Sequence, residues 1–225
     1  MRELEVEPRP GLNEILWDTR IEPPYEPDPD APPQRGRFGG PPPGVRVLPG
    51  DYTVELHAGD QVASSTVSVQ LDPRVSISPA DLQLRQQTMM KAYEFAGAYN
   101  DANMAVQRLS AQLETADELI EASGAATDEL KTMAEEATKA VAEVRESLQG
   151  QRRVLFAAFG LERSHTRPTD DQIWTIDNAR EELPGTIDEI NSIITTSMPA
   201  LWDRMNEEGL RPELGDPISA PVWQR

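Results

Sequence analysis

The chain holds 39 aspartates and glutamates but only two histidines, His57 and His165, and no cysteine, which excludes disulfides and thiolate chemistry. Neither histidine has a second histidine at ligand spacing, which argues against a transition-metal site. The sequence contains no G-x-S-x-G turn, no phosphate-cradling glycine loop, no H-E-x-x-H and no dinucleotide fingerprint. Its adjacent acids, Glu135-Glu136, Glu181-Glu182 and Glu207-Glu208, fall within helical patterns. Glycoside hydrolysis needs two carboxyl groups converging across a cleft, one held neutral and one ionised. Exposed helix faces do not supply that contrast, so these acids are predicted to titrate like free side chains. Asp28 and Asp30 resemble calcium ligands only superficially, because about six to eight oxygens on a turn scaffold are needed and a proline-rich stretch offers neither. Trp17, Trp174, Trp202 and Trp223 could stack on sugars, but Trp174 and Trp202 lie one position off an apolar helical seam, which predicts edge or interdomain packing. The expectation is therefore no catalytic, cofactor-binding or metal-binding residue, no cofactor, and no enzymatic activity.

The net charge of −18 argues against nucleic acid and anionic membrane, since binding a polyanion depends on Lys and Arg neutralising phosphates. Only Lys91, Lys131 and Lys139 are lysines, and no basic run exceeds Arg152-Arg153. No stretch approaches the roughly 20 apolar residues of a membrane span. The opening MRELEVEPRP is charged where a secretory signal needs an apolar run of about 7–15 residues. No signal peptide is expected in this chain: either the protein stays inside or its natural start lies upstream.

The elements that would position these residues change character near Ser78. Between Pro49 and Arg74, Tyr52, Val54 and Leu56, then Val67, Val69 and Leu71, alternate with polar residues around Ala58-Gly59-Asp60-Gln61. That period of two with a glycine turn predicts a β-hairpin. A lone hairpin is marginal in water, so its apolar face needs a cover of strands or helices. Gly11 to Asp18 is predicted as a further, irregular strand with Leu12, Ile15 and Trp17 inward, and Val45 to Val47 as a short one. Twelve of the twenty prolines precede Gly50, which marks residues 22–50 as a loop within a β module spanning 1–78.

From Ser78 the period becomes 3.6. Ser78-Pro79-Ala80-Asp81 is a consistent helix start. Phe95, Tyr99, Ala102, Val106, Leu109, Leu113, Ala116 and Ile120 follow as a seam ending near Ser123-Gly124. A second helix is predicted over 127–159, with Leu130, Ala134, Ala137, Val141, Val144, Leu148, Leu155 and Ala158 on its seam and Gly160 as its cap. The third opens on a capping box, Thr169 to Gln172, and carries Ile173, Ile176, Leu183, Ile187, Ile190, Ile194, Leu201 and Met205 until Gly209. Pro184 and Pro199 should kink or split it. The pattern predicts an α+β chain: a small antiparallel β-sandwich, partial here, then an antiparallel three-helix bundle over 79–209 and an extended tail over 210–225. Residues 78–209 hold 24 acids against 12 basic residues, so most of the charge sits on the helices.

Three motifs in order, Gly11-Leu12-Asn13-x3-Trp17-Asp18-x-Arg20, Pro49-Gly50-Asp51-Tyr52-Thr53-Val54 and Val69-x2-Asp72-Pro73-Arg74, carry a resemblance. They resemble the C-terminal region of bacterial sortilin-type, sialidase-like (BNR-repeat) β-propeller proteins labelled glycosyl hydrolases. There an immunoglobulin-like sandwich and a helical tail follow the propeller. The likeness covers the sandwich motifs and, in outline, the helices; similar sandwich motifs occur in flagellar-hook assembly and cell-surface sorting modules. It implies an accessory or scaffold module of an exported protein, periplasmic or extracellular, with a propeller domain of the same or a neighbouring chain as partner. The propeller blades and Asp-box repeats are absent here, so the resemblance does not imply a hydrolase. Two other readings are a helical protein that self-associates through its seams and a glycosidase acting through surface carboxylates. All three seams are similarly apolar, which favours their satisfying one another within the chain.

Overall fold

A computed structural model of the chain describes residues 2–26 and 42–210. Asp28, Asp30, Trp223 and the tail beyond Leu210 lie outside the described residues. The chain is α+β: β1 (Gly50–Ala58) and β2 (Gln61–Val69), then α1 (Pro79–Ser123), α2 (Asp128–Gln151), α3 (Arg153–Arg163), α4 (Asp170–Ser192), a π-helical turn (Ile193–Ser197) and α5 (Met198–Glu207). No described helix is long and apolar enough to cross a membrane. Two compact units emerge, one comprising Met1–Ala102 with Leu148–Pro184 and the other Asn103–Ser147 with Gly185–Arg225. The division runs across three helices and not at residue 78.

In the first unit β1 and β2 pair antiparallel, Tyr52 with Val67, Val54 with Ser65 and Leu56 with Ala63. Gly59 has φ +59 while Asp60 stays at negative φ, the signs of a two-residue type II′ turn that suits strand twist. The register puts Tyr52, Val54, Leu56, Ala63, Val67 and Val69 on one face, with Asp51, Thr53, Glu55, Ser64, Thr66 and Ser68 on the other. Arg20 makes an isolated bridge with Arg46, flanked by Ile21 N–H to the Val45 carbonyl at 3.0 Å and Val47 N–H to that of Thr19 at 2.8 Å. Pairing on this side is thus centred on 19–21, not on the strand expected at Gly11 to Asp18. The reason is local competition: the Asn13 side chain accepts from Arg9 N–H and donates to the carbonyls of Arg9 and Gly11, folding the segment on itself. Leu12 is 99% exposed and Ile15 is exposed, while Trp17 is half-buried. Gly44 is obligatory, because a Cβ there would overlap the Ile21 carbonyl oxygen.

Helix starts follow their caps. Ser78 Oγ accepts from Asp81 N–H at 3.1 Å and donates to its carboxylate at 2.7 Å. Thr169 and Gln172 make both halves of a capping box, 2.9 and 3.2 Å. The expected second helix is broken. α2 ends at Gln151, a turn at Arg152 re-phases the chain, and α3 buries Val154 and Leu161 where Leu155 and Ala158 were expected. Gly160 lies inside α3, and the chain turns extended at Ser164, whose N–H and hydroxyl bond the Leu161 carbonyl. Pro184 sits within an unbroken α4. Before Pro199 the helix widens, and Met198 N–H reaches back five residues to Ile193 O, accommodating the donor that proline lacks. One residue of register is gained, so Ile193 and Met198 are buried and Ile194 is exposed.

In the second unit the α1 portion buries Val106, Leu109, Leu113, Ala116 and Ile120, and the α2 portion Leu130, Ala134, Ala137, Val141 and Val144. Arg145 bonds Ser110. Thr127 donates its N–H to Glu208 at 3.0 Å, and Arg204 meets Glu129 at 3.1 Å, tying the start of α2 to the end of α5.

Candidate functional site

The chemistry-bearing residues expected to be isolated are dispersed. His57 Nε2 lies 3.4 Å from Glu55 on an exposed strand, and His165 is exposed in the loop after α3. Among the described residues no three His, Asp or Glu side chains come together as a metal would require. Glu135, Glu136, Glu181 and Glu182 are exposed. Glu208 departs from its expected free-side-chain behaviour: hydrogen bonds from Thr127, then the charge of Arg204, hold its carboxyl below the usual range. Asp117 departs the other way, raised by burial and by the neighbouring charges of Glu121 and Glu135. Trp174 stays exposed under the Arg153 guanidinium, 5.4 Å from the ring centroid. Trp17 packs edge-on against Tyr52, centroids 5.6 Å apart, and donates its indole N–H to the Arg20 carbonyl at 2.9 Å. Gly97 faces Pro24, whose carbonyl oxygen lies 3.1 Å from where a Cβ would stand, so the small residues of α1 receive the N-terminal segment there.

Sequence reasoning missed the constellation that this docking creates. Arg20, buried by the Trp17 turn, donates to the Gly44 carbonyl at 2.8 Å and pairs with Glu162 near the end of α3. Arg46 reaches the same Glu162 oxygen at 3.4 Å. A third guanidinium, Arg85 on α1, is only 8% exposed and donates to the Leu161 carbonyl at 3.0 Å; its Nε has no partner among the described residues. Burial pushes the Glu162 carboxyl up, but Arg20 and then Arg46 outweigh it and hold it below the ordinary value. Burial lowers Arg85, with Glu162 opposing and the other two arginines adding to the shift. Arginine remains protonated in proteins, so these three guanidiniums can pair with anions but do not exchange protons. One sign was available: Leu82, Arg85, Met89 and Ala92 follow helical spacing, which places an arginine in the apolar stripe of α1.

The second feature is the hairpin's apolar face. Trp17 covers it at Tyr52, while Val54, Leu56 and Val67 remain 45%, 56% and 42% exposed. A recess of about 460 Å³ is lined by residues of the irregular segment 4–16, with no helix or strand to fix its shape. Compared with protein-family models, curated proteins and solved structures, the chain finds no match.

Proposed function

We propose that the chain is a non-catalytic accessory module whose hairpin docks on a partner domain. The observation that carries this reading is the half-covered apolar face of β1 and β2: an amphipathic two-stranded sheet is marginal alone and gains stability by burying that face. The three sandwich motifs support a β-propeller domain of the same or a neighbouring chain as that partner, with the hairpin contributing to a partial immunoglobulin-like sandwich. By the same resemblance the protein is exported, periplasmic or extracellular. The helical part is an antiparallel three-helix bundle acting as a spacer, a reading supported by the short α1–α2 connection and the ties from Arg145 to Ser110 and Thr127 to Glu208. Co-expressed with a propeller encoded in frame or beside its gene, the chain should co-elute with it in gel filtration. Leu56→Glu should abolish co-elution while leaving the melting temperature unchanged. Co-elution that survives Leu56→Glu, no propeller in the neighbourhood, or glycosidase turnover by the purified chain would each overturn the proposal.

A further inference from the structure

Independently of the hairpin, we propose that two copies of the chain form a two-fold dimer, with α3 of one copy laid on α4 of the other. The surface involved lies wholly within the 148–184 span of the first unit. Residues 152–169 hold Arg152, Arg153, Arg163 and Arg167 against a single acid, Glu162, a basic stretch in a chain of net charge −18. Glu162 is turned inward to Arg20, which leaves the outer side of α3 without an acid. On that side Phe156, Phe159 and Arg163 fall within an arc of about 60°, at about 100° per residue, opposite the buried Val154 and Leu161. α4 supplies the other sign. Asp170, Asp171 and Glu181, all exposed, lie within about 60° of Trp174 around the helix, so acids flank the indole. Arg153 over the Trp174 ring, and Gly160 facing Gln172, set the two rows side by side.

Phe156 and Trp174 are 64% and 56% exposed, and exposed aromatic side chains grouped with arginine have the composition of an interface core. The occupant follows from the arrangement of charge. A partner of one sign would match one row and be repelled by the other. A second copy related by a two-fold axis satisfies both at once: its α4 brings acids to the α3 arginines, and its α3 brings arginines to the α4 acids. The aromatic side chains then meet near the axis. Arg153, Arg163, Asp171 and Glu181 make no ion pair with any described residue, so their charges remain to be paired across that axis. Arg153 stacks on Trp174 and Arg163 on Phe159, each 5.4 Å from the ring centroid. Both guanidiniums are thereby restrained in advance, which lessens the entropy lost when they pair.

Sedimentation equilibrium of the purified full chain over a concentration series tests this, and a monomer–dimer equilibrium is expected. Phe156→Glu, at an exposed position, should raise the dimer Kd by at least about tenfold while circular dichroism stays that of the wild type. Two charge variants make the sharper comparison. Arg153→Glu with Arg163→Glu renders both rows acidic, and Asp171→Lys with Glu181→Lys renders both basic, so each alone should be monomeric through like-charge repulsion. Mixed in equal amounts, the two should form a heterodimer, because opposite signs again face each other on both sides of the axis. Leu56→Glu, on the hairpin, should leave the dimer intact, which separates the failure of this interface from the failure of hairpin docking. A wild type that stays monomeric throughout the series, a dimer unchanged by Phe156→Glu, mixed charge variants that remain monomeric, or a dimer lost in Leu56→Glu would each overturn the proposal.

Discussion

Glu162 is the residue on which the N-terminal segment is anchored, since it takes Arg20 directly and Arg46 at 3.4 Å. Both Arg20 and Glu162 are largely out of solvent, so removing the carboxylate leaves a buried guanidinium uncompensated. Such losses cost about 3–5 kcal/mol, and the half-exposed Arg46 places this site at the lower end, so Glu162→Gln should destabilise by roughly 3 kcal/mol near pH 7 in urea denaturation. The sign with pH follows from its depressed folded pKa. Its contribution is complete above the unfolded glutamate value of about 4.3 and disappears as pH falls from there through the lower folded value. The gap between wild type and Glu162→Gln should therefore close in that acid window; a gap independent of pH would mean that packing, not charge, holds Arg20. None of this could be read from residues 20, 46, 85 and 162 in the sequence. They belong to different segments, and only the docking of residues 19–24 and 44–47 brings them together. Arg85 alone left a trace, as the cation in an apolar stripe.

At the scale of elements, helix starts and the hairpin were legible because their signals are local. Ser78 with Asp81, Thr169 with Gln172, and the alternation around Gly59 each act within a few residues. What escaped were changes of helical phase. At Arg152 and at Ile193 to Ser197 the backbone shifts register without any loss of apolar content, so a strict seam continues onto the wrong residues, Leu155 and Ile194. Pro199 marked the second site, where a widened turn splits the helix into α4 and α5. Deleting exposed Ile194 returns the buried residues to ordinary helical spacing but forces Pro199 into a regular helix, at about 3 kcal/mol. Adding Pro199→Ala to the deletion should recover most of that loss, whereas Pro199→Ala alone should change stability little. Additive effects in thermal melts of the three variants would separate the π turn from the proline and refute the explanation.

For the whole molecule, composition suggests a β module ending near 78 and a helical part that folds by itself, whereas the compact units divide the helices instead. The cause lies in where the apolar stripes of α1 and α3 find cover. Residues 79–102 share a unit with the N-terminal segment, with Tyr93 donating to the Pro23 carbonyl at 3.2 Å and Gly97 against Pro24. The second unit takes its ties from α1, α2, α4 and α5, through Arg145, Ser147, Thr127, Arg204 and their partners. A fragment of residues 79–209 should then be strongly helical and melt cooperatively, as caps and seams agree along its length. Its protection against hydrogen exchange should nonetheless be uneven, because local stability follows local burial. Amides of Val106 to Ile120 and Leu130 to Val144 should keep the protection they have in the full chain. Those of Ala92 to Ala96 and Leu161 should lose at least tenfold, having lost Pro23, Pro24 and Arg20. Uniform protection across the fragment would show that the N-terminal segment contributes nothing to α1 and α3, and uniform loss would show that the second unit does not stand on its own helices.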